Sequence, residues 1–239
     1  YEIAQCLVGS EMCIRDSHPT KCTRPIASGK IQKKSAVVLA CALFIVSVAI
    51  NWFVCGKSLY GWLLIALYLV LNLGYSFGLK NVVLLDILIL VSGYLIRILY
   101  GSVITDIPVS SWLYLTVMAF SFYMGLGKRR GEIVNSEKNT REVLKYYNKD
   151  FLDKNMYMTL GLGIVFYSLW CVNSGTIAIY SNKIVFTIPL VIVICMKYSL
   201  TVEGDSDGDP ISVILKDKWL MVLGALYGAV IISLLYIFK

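Results

Sequence analysis

Histidine is nearly absent from this 239-residue chain: one copy stands at position 18, and none of the seven cysteines (6, 13, 22, 41, 55, 171, 195) forms a C-x-x-C pair. A transition-metal site of mixed His and Cys ligands is therefore not expected. The cysteines fall mostly within apolar runs and read as small core residues. Charge is scarce too, with only 15% of residues Asp, Glu, Lys or Arg, divided into 15 acids and 22 bases. The chain also has no inverted repeat and no Gly/Pro-broken helix pair, which argues against a transporter.

Apolar sequence fills the space that charge leaves. Hydrophobic residues make up 58% of the chain, the mean hydropathy is +0.72, and the apolar runs approach the twenty or so residues that cross about 30 Å of hydrocarbon. Seven spans are predicted: 35–55, 59–77, 82–103, 110–127, 156–172, 183–200 and 219–238. They must be helices, because lipid leaves open backbone groups unsatisfied and the runs are too long and uniform for barrel strands. The expected fold class is thus all-α, a polytopic membrane bundle. Residues 1–34, 79–81, 128–154 and 197–218 hold 18 of the 22 Lys and Arg residues, so these connections are expected on the cytoplasmic side. That asymmetry accounts for the net charge of +7 without nucleic acid, and basic loops can also attract anionic lipid or phosphorylated substrates.

Four stretches carry chemistry. The loop from His18 to Lys30 is stiffened by Pro19 and Pro25 and offers Lys21 and Arg24 to an anion; as a basic juxtamembrane loop it can equally serve topology alone. In the third span, Asp86 and Arg97 are eleven residues apart, three turns and about 20°, so they share a face about 16 Å apart. Charge at that depth marks a cavity wall, unless Arg97 snorkels outward. Gly93 and Gly101 would permit close helix approach there. The fourth span exits through Lys128-Arg129-Arg130-Gly131-Glu132, where Glu132 is placed to steady Lys128 four residues back as the helix continues. Beyond it, residues 139–155, with Asn139 as N-cap and Glu142 three later, are predicted as a separate helix on the membrane surface, a lid or a connector. The fourth stretch, Glu203-Gly-Asp205-Ser-Asp207-Gly-Asp209-Pro210, gathers four carboxylates in seven residues. Such oxygens suit Mg²⁺ or Ca²⁺, or form a solvated turn. An EF-hand is excluded, because Pro210 and Lys216 would stand where glycine and the bidentate Glu are required.

Taken together, His18-Pro-Thr-Lys21-x-x-Arg24-Pro25, Asp86 with Gly93-Tyr-Leu-Ile-Arg97, Lys128-Arg129-x-Gly-Glu132 and Glu203-Gly-Asp-x-x-Gly-Asp209-Pro210 resemble the UbiA superfamily of intramembrane prenyltransferases, and within it the branch that attaches phosphoribose to a polyprenyl phosphate. The resemblance covers residues 18–239. It implies a nine-helix bundle whose helices three to nine match the seven spans, with a cavity open to the cytoplasmic face of a bacterial or archaeal plasma membrane. It implies phosphoribosyl diphosphate as donor, polyprenyl phosphate as acceptor and Mg²⁺ as cofactor, with membrane lipid but no nucleic acid as partner. On that pattern the Mg²⁺ ligands are Asp205, Asp209 and Glu203, and the catalytic phosphate contacts are Lys21, Arg24, Lys128 and Arg129. His18, Asp86, Arg97, Glu132 and Tyr198 bind substrate. The alternative within the superfamily joins a prenyl diphosphate to an aromatic acceptor.

One part of the pattern departs. The superfamily's first motif, Asn-Asp-x-x-Asp-x-x-x-Asp, ends three residues before the His-Pro step, where this sequence has Arg15, with Asp16 out of register. Residues 7–17 lack helical or strand period and resemble a translated sequencing adapter, so residues 1–17 are set apart from the fold. They are expected to be non-native or disordered, with 18–239 forming the membrane domain. Without the first motif, the chain as written is expected to show no useful turnover.

Overall fold

The computed structural model describes residues 32–56, 58–135, 142–204 and 209–236. Among them the secondary structure is entirely helical: nine α-helices and three short 3₁₀ turns. They divide into two compact units, one formed by the described residues up to 89 with 96–108, the other by 90–95 with the described residues from 109 on.

The first unit contains α1 (Lys33–Cys55), α2 (Leu59–Phe77) and most of α3 (Leu85–Thr105). Gly56 ends α1 at φ 53°, a conformation that glycine reaches without strain, and Ser58 Oγ caps α2 by accepting the Gly61 N–H at 3.4 Å. The chain thus leaves α1 through a glycine stop and enters α2 through a serine start. Trp62 Nε1 donates to the Gly56 carbonyl at 3.3 Å and ties the turn to α2. The second connection is the 3₁₀ turn Leu79–Asn81 after Gly78 at φ 146°. The α1 face is largely exposed, with Val38, Phe44, Ile45, Ile50 and Phe53 all at least half accessible, as a lipid-facing helix must be. Cys41 belongs to that exposed face; its small apolar side chain faces outward and is not a core residue.

The second unit is organised around α4 (Ser111–Asn135) and α5 (Lys149–Cys171), which pack along one another. Their approach is close: a Cβ on Gly163 would stand 2.9 Å from the Phe120 ring. Next come α6 (Ser174–Tyr180), a 3₁₀ turn (Asn182–Thr187), α7 (Ile188–Glu203), α8 (Pro210–Lys216) and α9 (Lys218–Tyr236). Tyr167, Cys171, Ile184, Val191, Cys195 and Leu234 form an apolar core, in which Tyr167 Oη bonds to Thr187 Oγ1 at 2.6 Å and Tyr227 Oη at 3.2 Å.

Two sequence expectations change. Five helical segments among the described residues are long and apolar enough to cross a membrane: 34–54, 59–77, 85–105, 182–203 and 218–236; α5 with α6, bent by 68°, counts as a sixth if the pair is one broken span rather than a re-entrant loop. The predicted span at 110–127 is not among them, because Trp112, Tyr114, Thr116, Ser121, Tyr123 and Lys128 lower the mean hydropathy of α4. Thr116, Ser121 and Tyr123 are among its buried residues. The second change lies at 139–155. No separate surface helix forms there among the described residues: a 3₁₀ turn occupies Glu142–Tyr146, and Asn148, extended at φ −109° and ψ 158°, starts α5 by accepting the Phe151 N–H at 2.6 Å. Once that cap is set, nothing interrupts the helix between Lys149 and Cys171, so the charged turn and the apolar span are one element. The N-cap predicted at Asn139 lies outside the described residues.

Candidate active site

Helix α4 runs past its apolar stretch as expected, carrying Lys128, Arg129, Arg130 and Glu132 on successive faces. Each cation finds a different partner. Lys128 Nζ meets Asp209 Oδ1 at 3.2 Å, with both side chains a little over one-third exposed. Arg129 is fully buried, and its Nη1 lies 2.7 Å from Glu132 Oε2. Arg130, 6% exposed, donates from Nε to Asp153 Oδ1 at 2.6 Å and from Nη1 to the Val202 carbonyl at 3.2 Å. Glu132 therefore steadies Arg129 at i,i+3, where the sequence suggested Lys128 at i,i+4. The reason is that Lys128 is drawn to the acidic segment.

That segment is anchored at both ends. Asp209 caps α8 by accepting the Ser212 N–H on Oδ2 at 3.4 Å while its other oxygen receives Lys128. At the end of α7, Glu203 Oε1 accepts from Tyr157 Oη at 2.9 Å and Ser199 Oγ at 3.0 Å, and Ser199 Oγ in turn accepts from Tyr123 Oη at 2.9 Å. The Tyr198 ring packs on Tyr123 at 5.7 Å between centroids. Sequence reasoning did not single out Arg130, Asp153, Tyr157, Ser199 or Tyr123. A cation beside two others reads as dipole compensation, and isolated tyrosines in apolar helices carry no spacing signal.

Nearby, Asp217 Oδ2 receives Lys197 Nζ and Thr201 Oγ1, each at 2.7 Å, and its Oδ1 caps α9 through the N–H groups of Trp219 and Leu220. The hydrogen bond from Lys197, followed by that from Thr201, lowers the Asp217 carboxyl from 3.8 to about 2.

The remaining expected residues belong to the first unit or lie outside the described residues. Asp86, in the first turn of α3, is fully buried. Arg97 is exposed, donating to Tyr68 Oη at 2.9 Å with its guanidinium 5.5 Å from the Tyr68 ring centre. Both belong to the first unit. His18, Lys21, Arg24 and Asp205 lie outside the described residues.

A profile of the UbiA prenyltransferase family matches residues 14–128. The decaprenyl-phosphate phosphoribosyltransferase of Mycolicibacterium smegmatis is 34% identical over 223 residues, covering 87% of this chain and 67% of that protein. The proteins of the same name from Mycobacterium tuberculosis and Corynebacterium glutamicum are 33% and 30% identical, covering 90% and 92% of this chain and 70% and 67% of theirs. The chain belongs to the UbiA prenyltransferase family. Membership agrees with the all-helical fold and the apolar spans, and makes this an integral membrane protein whose similar relatives are bacterial. The profile match ends at Lys128, the cation that meets Asp209, so the acidic partner is contributed by a part of the chain that the relatives cover and the profile does not.

A divalent cation can be tested against the residues in hand. Among the described residues no three His, Cys, Asp or Glu side chains converge. Glu203 and Asp209 do fit in kind: both offer hard carboxylate oxygens, and the two hydroxyls on Glu203 Oε1 orient that group as outer-shell donors orient a metal-ligating carboxylate.

Proposed function

We propose that this protein transfers 5-phosphoribose from phosphoribosyl diphosphate to a polyprenyl phosphate, releasing pyrophosphate. The observation that carries the reading is the meeting of Lys128, on the basic end of α4, with Asp209, at the acidic start of α8. A diphosphate needs both kinds of group, cations to receive its oxygens and carboxylates to hold a counter-cation. The names and identities of the relatives point to the same pair of substrates.

In the reaction, the bond from the anomeric carbon to the diphosphate breaks and its electron pair leaves with the diphosphate. Positive charge develops on the ribose, and an oxygen of the lipid phosphate forms the new bond. The acceptor is already anionic, so no strong base is required. The protein's contribution is electrostatic, a fixed array of charge aimed at the departing group. Lys128 supplies an ammonium that can leave Asp209 for a phosphate oxygen, and Lys21 and Arg24 are assigned the same task. Arg129 has no accessible surface, so its part is to hold Glu132 and the α4 end in register. Glu203, Asp205 and Asp209 would hold Mg²⁺, which when bound neutralises diphosphate charge. Arg130 fixes the α7 end from which Glu203 projects. The Lys and Arg asymmetry favours the cytoplasmic face for this site.

Thermal protection discriminates the donors. Phosphoribosyl diphosphate with Mg²⁺ is expected to raise the melting temperature of the purified protein, and prenyl diphosphates are not. Protection by a prenyl diphosphate alone would move the assignment to the aromatic-acceptor branch.

A further inference from the structure

The second unit contains a cleft of about 430 Å³ between α7, α8 and the start of α9, lined by Lys197, Thr201, Gly204, Lys216, Asp217 and Lys218. Among the described residues that line it the one acid is already engaged, because Asp217 receives Lys197 and Thr201 on one oxygen and two backbone N–H groups on the other. Lys197 is thereby neutralised. Lys216 and Lys218, flanking Asp217 in sequence, are exposed, so among the described residues the lining of the cleft carries an excess of two positive charges.

The rim is apolar. Val213 is 1% exposed and pins α8 to the unit, while Ile211 (69%), Leu215 (64%) and Trp219 (72%) face outward beside Leu200 (69%). Helix α8 leads directly into α9, one of the membrane-crossing segments. An exposed tryptophan, outward aliphatic side chains and lysines at the head of such a helix form the arrangement that settles at the boundary of headgroups and acyl chains.

We propose that this cleft seats the headgroup phosphate of an anionic membrane phospholipid. Lys216 and Lys218 contact the phosphate, and Ile211, Leu215 and Trp219 lie against the acyl chains. The charge excess selects the anionic headgroup, and the apolar rim selects a lipid over a free anion. None of the residues assigned to phosphoribosyl transfer takes part, so the proposal stands or falls independently of that reaction.

The test counts retained phosphatidylglycerol and phosphatidylcholine on the purified protein by native mass spectrometry, with no donor or acceptor present. Phosphatidylglycerol is expected to be retained preferentially. Lys216→Ala with Lys218→Ala should weaken that retention about 30-fold, from the contribution of two lysines near a charged surface, whereas Arg at both positions should keep it. High salt should weaken it as well. Equal retention of the two lipids, or a double alanine variant that binds like the parent, would overturn the proposal. So would displacement of phosphatidylglycerol by millimolar inorganic phosphate or by an equimolar polyprenyl phosphate. A second measurement leaves the lysines untouched: brominated phosphatidylglycerol should quench the fluorescence of Trp219, assigned by difference from Trp219→Phe, more than brominated phosphatidylcholine does. Equal quenching would again contradict the headgroup site.

Discussion

Lys128 Nζ lies 3.2 Å from Asp209 Oδ1, joining two residues 81 positions apart in the chain. Both are a little over one-third exposed, and a pair so accessible to water is worth at most about 1 kcal/mol. Lys128→Ala should therefore change the melting temperature little while raising the KM for phosphoribosyl diphosphate at least tenfold in protein carrying the family's first motif. A variant that melts far below the parent would instead make Lys128 a structural residue.

Arg130 has the opposite profile. It is nearly buried and joins α4 to Asp153 of α5 and to the Val202 carbonyl of α7. Removing one partner of such a pair strands the other, at a cost of about 3 kcal/mol. Arg130→Ala is expected to lower stability by about that amount in chemical or thermal unfolding, and Asp153→Asn by less, because Asp153 is one-quarter exposed. Arg129→Ala should be as damaging as Arg130→Ala for the same reason.

Acid should act through Asp217. Its carboxyl is lowered to about 2 from 3.8, so the folded protein favours the ionised form. The resulting stabilisation is fully present above about pH 4 and fades as pH falls towards 2. Melting temperature recorded between pH 5 and pH 2.5 should decline, and Asp217→Asn should start lower and decline less. Parallel curves for the two proteins would remove Asp217 from the explanation.

Packing offers a check on the second unit. A methyl group on Gly163 would stand 2.9 to 3.1 Å from three atoms of the Phe120 ring. Gly163→Ala should cost roughly 1–3 kcal/mol by overpacking, and Phe120→Leu combined with it should recover part of the loss. Full tolerance of Gly163→Ala would mean that α4 and α5 are further apart than described.

Much of this was legible in the residues. Uniform apolar runs bounded by glycine or charge placed α1, α2, α3 and α9 within a few residues of their observed ends, because lipid and backbone hydrogen bonding leave one solution. The expectation for α4 rested on its Leu, Val, Met and Phe residues, whereas Trp112, Tyr114, Thr116, Ser121, Tyr123 and Lys128 bring the mean hydropathy of the segment below that of the five spans. The break predicted before Met156 erred because charge near Lys149 and Lys154 resembled a surface helix, whereas a single cap at Asn148 sets the start of one long element. In the candidate site, spacing identified Lys128 and Asp209 separately. The convergence of Arg130 on the Val202 carbonyl, and of Tyr157 and Ser199 on Glu203, depends on which helices adjoin, and no local pattern records that.

The central claim is that the basic end of α4 and the acidic segment before α8 together handle a phosphoribosyl diphosphate. Its most direct test follows labelled phosphoribose from the diphosphate onto a polyprenyl phosphate, in protein carrying the Asn-Asp-x-x-Asp-x-x-x-Asp motif of the family. Parent, Lys128→Ala and Asp209→Asn are compared. The account predicts transfer by the parent and a fall of roughly 100-fold or more in kcat/KM for each variant; unchanged kinetics in both variants would contradict it.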